Sequence, residues 1–166
     1  MFKIFYVLCW IFALTSLVLA YSFADMYMVD QEDLMMIEGT IKGELELSKD
    51  IDYGHITMLT FYTEEDAKKY NVGGNLLSIA DQSIYQLQAG DQVNIWIKQP
   101  ASKNFVERFL RKMNGVWGLE KTGGTIFFTT EATLKQRKST SSLVYMSLFI
   151  LMALFAFRTI YRWNRQ

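Results

Sequence analysis

The residues of this chain that could carry chemistry are few, and their spacing rules out most of the familiar arrangements. There is one histidine and one cysteine in 166 residues. A nucleophilic site needs a nucleophile beside a base, and a metal site needs several ligands on converging elements. His55 stands near Asp50 and Asp52, but further ligands would have to arrive from elsewhere, so it reads as a polar strand-end residue beside a solvated acidic turn. Asp50-Ile51-Asp52-Tyr53-Gly54 has the start of a calcium loop. Such a loop requires glutamate at its twelfth position, which here is Phe61. Gly115-Val116-Trp117-Gly118-Leu119-Glu120-Lys121-Thr122 has the spacing of a phosphate loop except that Glu120 replaces the second glycine. A carboxylate there repels phosphate, and glycines and a further strand follow where a helix is needed. The carboxylates Glu44, Glu46, Asp81 and Asp91 have no spacing that pairs them for hydrolysis. No catalytic, cofactor-binding or metal-ligating residue is expected, and the chain reads as a non-enzyme.

The charge distribution says more than any motif. The seventeen acidic residues all lie from Asp25 to Glu131, between two apolar segments, and the tails outside those segments carry only Lys3, Arg158, Arg162 and Arg165. Between those tails, thirteen basic residues face seventeen acidic ones, which makes nucleic acid an unfavourable partner. Ile4–Phe23 has no charged side chain. Twenty helical residues reach roughly 30 Å, the thickness of a hydrocarbon core. A second apolar run, Ser142–Phe157, extends to a span over residues 140–160, with arginine stems able to snorkel and Tyr161 and Trp163 at headgroup level. Lys3 and the amino terminus, against no Lys or Arg before Lys42, favour an inside N-terminus. The expected location is therefore a bacterial inner membrane, with both termini cytoplasmic and the middle of the chain outside. Cys9 lies within the first span, so no intrachain disulfide staples the exported part.

Residues 34–134 suffice for one small domain. Ile37 to Leu47 alternates apolar or glycine with polar residues, the period of a half-buried strand. With Ser48–Gly54 as turn and His55–Tyr62 as second strand it predicts a long hairpin. Thr63 and Asp66 suggest a capping box opening a short helix over Glu64–Tyr70. A second hairpin is predicted from Ser83–Gln88 and Gln92–Lys98, and a third from Val116–Glu120 and Thr125–Thr129. Between these two, Phe105, Val106, Phe109, Leu110 and Met113 recur at helical spacing, predicting an amphipathic helix over Asn104–Asn114. The fold class expected is two transmembrane helices flanking a mainly-β (α+β) domain, a small antiparallel barrel of OB-like or SH3-like type.

Ile84-Tyr85-Gln86-Leu87-Gln88-Ala89-Gly90-Asp91-Gln92-Val93-Asn94-Ile95, together with Val116-Trp117-Gly118-Leu119-Glu120-Lys121, resembles the exported β-domain of small uncharacterised bacterial two-span membrane proteins. The resemblance implies the same architecture and brings no catalytic residues with it. The expected role is an accessory or immunity-like one, in which the domain contacts another membrane or envelope protein or the bilayer surface. The alternatives are a lipid or small-ligand barrel and a membrane-tethered carboxylate hydrolase. Tyr62 and Trp96 are candidate contact residues because they fall opposite the aliphatic rows. Arg108, Arg111 and Lys112 are candidates as the polar face of the predicted helix, which suits anionic lipid or an acidic partner.

The first apolar stretch exceeds the usual ~7 to 15 residues of a cleaved signal's apolar region, so it is expected to be retained. N-terminal sequencing of the chain extracted from membranes should find it attached. A mature start near Tyr21 or Asp25 would identify it as a signal peptide instead.

Overall fold

A computed structural model of the chain describes residues 2–50, 54–66, 68–100, 102–103, 113–138 and 140–163. In order these form α1 (Phe2–Met28), a 3-10 turn (Gln31–Asp33), β1 (Leu34–Lys49), β2 (Ile56–Thr63), β3 (Lys69–Gly73) and α2 (Gly74–Leu77). A second 3-10 turn (Gln82–Gln86), β4 (Gln92–Lys98), β5 (Met113–Lys121), β6 (Ile126–Phe128), α3 (Thr130–Arg137) and α4 (Thr140–Trp163) follow. The elements divide into a helical unit, Met1–Val29 with Arg137–Gln166, and a β unit, Asp30–Gln136.

In the helical unit α1 and α4 pack side by side. Trp10 meets Phe157 edge-on at 5.6 Å, and Phe23 stacks on Tyr145 and Phe149, each at 5.8 Å, so the helices run antiparallel. The buried positions are Ala13, Ser16 and Ala20 on α1 and Ala153, Ala156 and Ile160 on α4. Both sets follow the i, i+3, i+7 spacing of one helix stripe. Hydroxyls on these helices are satisfied locally: Thr15 donates to the Ile11 carbonyl at 2.8 Å and Thr159 to that of Phe155 at 3.0 Å. Both helices contain stretches, Tyr6–Met28 and Leu143–Trp163, long and apolar enough to cross a membrane.

The β unit contains a closed five-stranded barrel of order β1-β2-β3-β5-β4, with β6 added along β5. Its geometry follows from β1, which serves two partners. Leu34–Thr40 pairs with β4, and Ile41–Lys49 pairs with β2. At the handover the Ile41 N–H donates to the Asp91 carbonyl and the Gly90 N–H to the Ile41 carbonyl, both at 2.9 Å. Thr40 would be left without partners there, and the segment after β2 supplies them. Glu64 donates its N–H to the Thr40 carbonyl, and the Thr40 N–H is received by both carboxylate oxygens of Glu65, all at 2.9 Å. Gly39 permits this approach, since a Cβ there would lie 2.8 Å from Thr63 Cγ2. Beyond it, Gly43 at φ +74° sits where the β1–β2 register slips between Lys42 and Glu46.

Closure is made by β3 and β5, which run parallel through Lys69–Met113, Tyr70–Asn114 and Asn71–Gly115. The interior is filled by Ile41, Leu59, Phe61, Val72, Ile95 and Leu119, all fully buried, with Leu76 of α2 and Ile84 packed among them. A bulge between Trp96 and Ile97 on one side and Gly118 and Val116 on the other leaves Trp117 as the extra residue, and it too is buried.

The first and third hairpins form as predicted. The antiparallel meander needs correcting, because the closing pair is parallel. Ser83–Gln86 is not a strand but part of a 3-10 turn, begun by Asp81, whose carboxylate accepts the Ser83 N–H at 2.8 Å. Among the described residues of Glu64–Tyr70 there is no helix: a bend at Glu64 and Glu65 follows β2, and β3 begins at Lys69. Of the helix predicted over 104–114, residues 104–112 lie outside the described residues, and Met113 and Asn114 already belong to β5.

Gly118 is the tightest point on the barrel exterior. A Cβ there would stand 2.9 Å from Thr130 Cγ2, 3.1 Å from the Trp96 ring and 3.3 Å from the Thr130 backbone nitrogen. Gly118→Val should cost about 1–3 kcal/mol by overpacking. Urea unfolding of the detergent-solubilised chain reads this, and an unchanged midpoint would show that α3 does not rest on β5.

Candidate interaction surface

Tyr62 and Trp96 both lie half-buried on the barrel exterior. Tyr62 on β2 is flanked in register by Lys42 of β1 and Lys69 of β3. The Lys69 ammonium stands 5.8 Å from the Tyr62 ring centroid and 3.0 Å from the Glu46 carboxylate. The hydrogen bond to Glu46 raises the Lys69 pKa, so the ammonium beside the ring is held as an ion pair with that carboxylate, and exposed Lys42 lies on the other side of Tyr62. One rung further, buried Thr60 donates its hydroxyl to Asn71 Oδ1 at 2.9 Å. Trp96 on β4 is in register with Met36 and Gly118. The two aromatic residues do not converge. Their β1 partners, Lys42 and Met36, are six residues apart, roughly 20 Å along a strand. Arg108, Arg111 and Lys112 lie outside the described residues.

The carboxylates considered for hydrolysis have local structural partners. Glu46 holds Lys69. Asp81 begins the second 3-10 turn. Asp91 accepts from Lys121 at 2.7 Å and from the Gln88 N–H at 3.0 Å, which holds its carboxyl below the usual range. Glu44 is exposed on β1. Among the described residues no three His, Cys, Asp or Glu side chains are grouped to hold a metal ion.

Two polar clusters differ from what the sequence suggests. Thr63 and Asp66 do interact, with the Thr63 hydroxyl 3.1 Å from Asp66 Oδ1, but they close the β2–β3 bend rather than start a helix. Asp66 also accepts the Lys68 N–H at 3.2 Å and, through Oδ2, the Tyr70 hydroxyl at 2.9 Å. The Tyr70 ring stacks on Phe61 at 5.5 Å inside the barrel. Burial works to raise the Asp66 pKa, yet the hydrogen bonds from Tyr70, Lys68 and Thr63 outweigh it and the net shift is downward. Burial, and then the bond to Asp66, push the Tyr70 phenol well above its ordinary range.

The second cluster gathers the strand ends where the chain enters and leaves the barrel. Asp33 accepts the Asp30 N–H at 3.0 Å and the Ser102 hydroxyl at 2.7 Å. These bonds, with the positive charge of Lys98, hold the Asp33 carboxyl below its ordinary value. Lys98 itself is only 4% exposed. Gln99 donates its side-chain amide to the Glu32 carbonyl at 2.9 Å. Gln31 in turn donates to the Thr130 hydroxyl at 3.0 Å, which ties the start of the β unit to the start of α3.

The Asp66–Tyr70 bond predicts opposite responses at the two ends of the pH scale. Asp66 is depressed in the folded chain, so its stabilisation is complete above roughly pH 4 and is lost as pH falls through the folded value. Tyr70 is raised, so its contribution is complete below about pH 10 and is lost as pH rises further. Asp66→Asn should therefore flatten the fall in stability on acidification, and Tyr70→Phe should cost about 1–2 kcal/mol at neutral pH. Denaturant midpoints against pH check both, and an acid limb in Asp66→Asn as steep as the parent's would contradict the first.

No protein family, curated protein or solved structure matches the chain.

Proposed function

We propose that the chain is a bacterial inner-membrane protein whose α1 and α4 span the bilayer and display the barrel outside the cytoplasm as a non-catalytic binding module. The observation that carries the membrane part is the inverted packing of the helical unit. A water-soluble helix pair buries its large apolar residues. Here Ala13, Ser16, Ala20, Ala153 and Ala156 are covered while Leu151, Leu154 and Phe155 stand out, Phe155 at 72% exposure. Small residues between helices and bulky ones outside are the pattern expected when lipid is the solvent. The pairing of α1 with α4 also favours a retained first helix over a cleaved signal. Orientation follows from Lys3 and the amino terminus, because Lys135, Arg137 and Lys138 before α4 balance Arg158, Arg162 and Arg165 at its other end.

The binding part is supported by the filled barrel, whose interior is occupied by side chains and so favours a surface role over a lipid- or ligand-holding cavity. The strand order, with a helix between β3 and β4 and one parallel closing pair, favours an OB-type over an SH3-type barrel. The partner is another membrane or envelope protein, met through the Tyr62 and Lys69 face, where an aromatic ring and exposed Lys42 suit an acidic surface.

Both parts are open to one series of experiments on the intact chain in its own membrane. In a Cys9→Ser background, Ser48→Cys should react with an impermeant maleimide in intact cells, and the protein should resist alkaline extraction. Labelling only after lysis would place the barrel inside. Crosslinking with mass spectrometry should recover an envelope protein through Lys42 or Lys69, and recovery of no reproducible partner would reject the binding role.

A further inference from the structure

One apolar surface of the barrel has no role in that binding face. On β1, Met35 is 36% and Met36 46% exposed. Met36 lies in register with Trp96 of β4 and, across β4, with Gly118 of β5. The lack of a side chain at Gly118 exposes the rung to α3, and Thr130 packs there against one edge. The other edge, with Met36 and the half-buried indole, faces outward, and Met35, in register with buried Ile97, lies on the opposite face at the same end of the strand. Two residues along each strand the surface changes character: Glu38, Asn94 and Glu120 form the next outward rung, with Asn94 donating to Glu120 at 2.6 Å. An apolar rung therefore borders an acidic one at a spacing of roughly 7 Å.

We infer that Met35, Met36 and Trp96 form a rim that seats the barrel in the interfacial layer of the bilayer, a step that rests on the membrane reading above. Covalent reach supplies the occupant. Only Val29 and Asp30 separate α1 from the 3-10 turn, and Leu34 alone separates that turn from Met35. Seven residues span at most about 25 Å when extended, and the three in the 3-10 turn rise only about 2 Å each. The rim is thus confined to the neighbourhood of the end of an apolar helix. The Gln31–Thr130 hydrogen bond brings the outgoing chain back to the same end of the barrel, and only Lys138 and Ser139 separate α3 from α4. Two short tethers at one end hold that end toward the lipid.

The side chains match the layer. An indole suits the headgroup level, and unbranched methionine adapts to an irregular surface. The acidic rung behind them limits the depth, because Glu38 and Glu120 remain hydrated. Shallow seating follows, with the rest of the barrel in water.

The test uses the whole chain in a Cys9→Ser background, reconstituted into phosphatidylcholine and phosphatidylglycerol vesicles that carry shallow or deep nitroxide-labelled lipids. An environment-sensitive fluorophore is placed at Met36→Cys, at Ser48→Cys near the far end of β1, or at Leu14→Cys within α1. The expected result is quenching at 36 by shallow nitroxides with blue-shifted emission, quenching at 14 by deep nitroxides, and water-like unquenched emission at 48. Quenching at 14 with water-like emission at 36 overturns the rim and leaves the anchors standing. An unquenched label at 14 overturns the membrane reading itself. Shielding at 36 without quenching, growing with the protein-to-lipid ratio, would mean that a second copy covers the methionines, and this also overturns the lipid seat.

Discussion

The barrel depends on a single strand being shared. β1 is sixteen residues long, gives its first half to β4 and its second to β2, and must turn between them without leaving its own backbone unbonded. An unpaired buried N–H or carbonyl costs about 1–3 kcal/mol. The chain avoids this with four borrowed contacts: the Asp91 carbonyl and the Gly90 amide from ahead of β4, the Glu64 amide, and the Glu65 carboxylate. Because Glu64 and Glu65 directly follow β2, completing the handover also sets where β2 must end. The bend at Glu64 and Glu65 and the start of β3 follow from that, and β3 is then in place to receive β5. Closure is a consequence several steps removed from Thr40.

The two units bury different residues. In the barrel, burial selects Leu, Ile, Val and Phe, as water requires. In the helical pair the buried residues are mostly Ala and Ser, with Ile160 at one end, and Leu151, Leu154 and Phe155 stand outside. The polar clusters near Asp33 and Asp66 both sit at strand ends, where backbone groups run out of ladder partners and side chains must replace them. Both are held by their own hydrogen bonds as closures of the strand ends.

What could be read from the residues was whatever has a period. The alternation in Ile37–Leu47 gave β1, and the two charge-free stretches gave α1 and α4. What could not be read depends on partners distant in the chain. Thr63 and Asp66 have the spacing of a capping box, and the same two side chains do meet, but Tyr70 arriving from the barrel interior converts the motif into a bend. Ser83–Gln86 has strand-like composition, yet Asp81 captures the Ser83 amide and coils it. The parallel contact of β3 with β5 has no local signature at all. Of the candidate surface, Tyr62 and Trp96 were legible as residues opposite aliphatic rows, whereas their separation along β1 was not, because it depends on how that strand is divided.

The hydrogen bond from Gln31 to Thr130 bears on how the two units assemble. Seen from the helices, everything between α1 and α4 is a loop, and closing an unfolded loop of roughly a hundred residues is entropically costly. Once the barrel has folded, its two ends are pinned side by side, and the same loop behaves as one of a few residues. The difference, (3/2)RT ln n between those lengths, is about 3 kcal/mol. Folding of the barrel therefore acts through chain connectivity on the helical hairpin, favouring the pairing of α1 with α4.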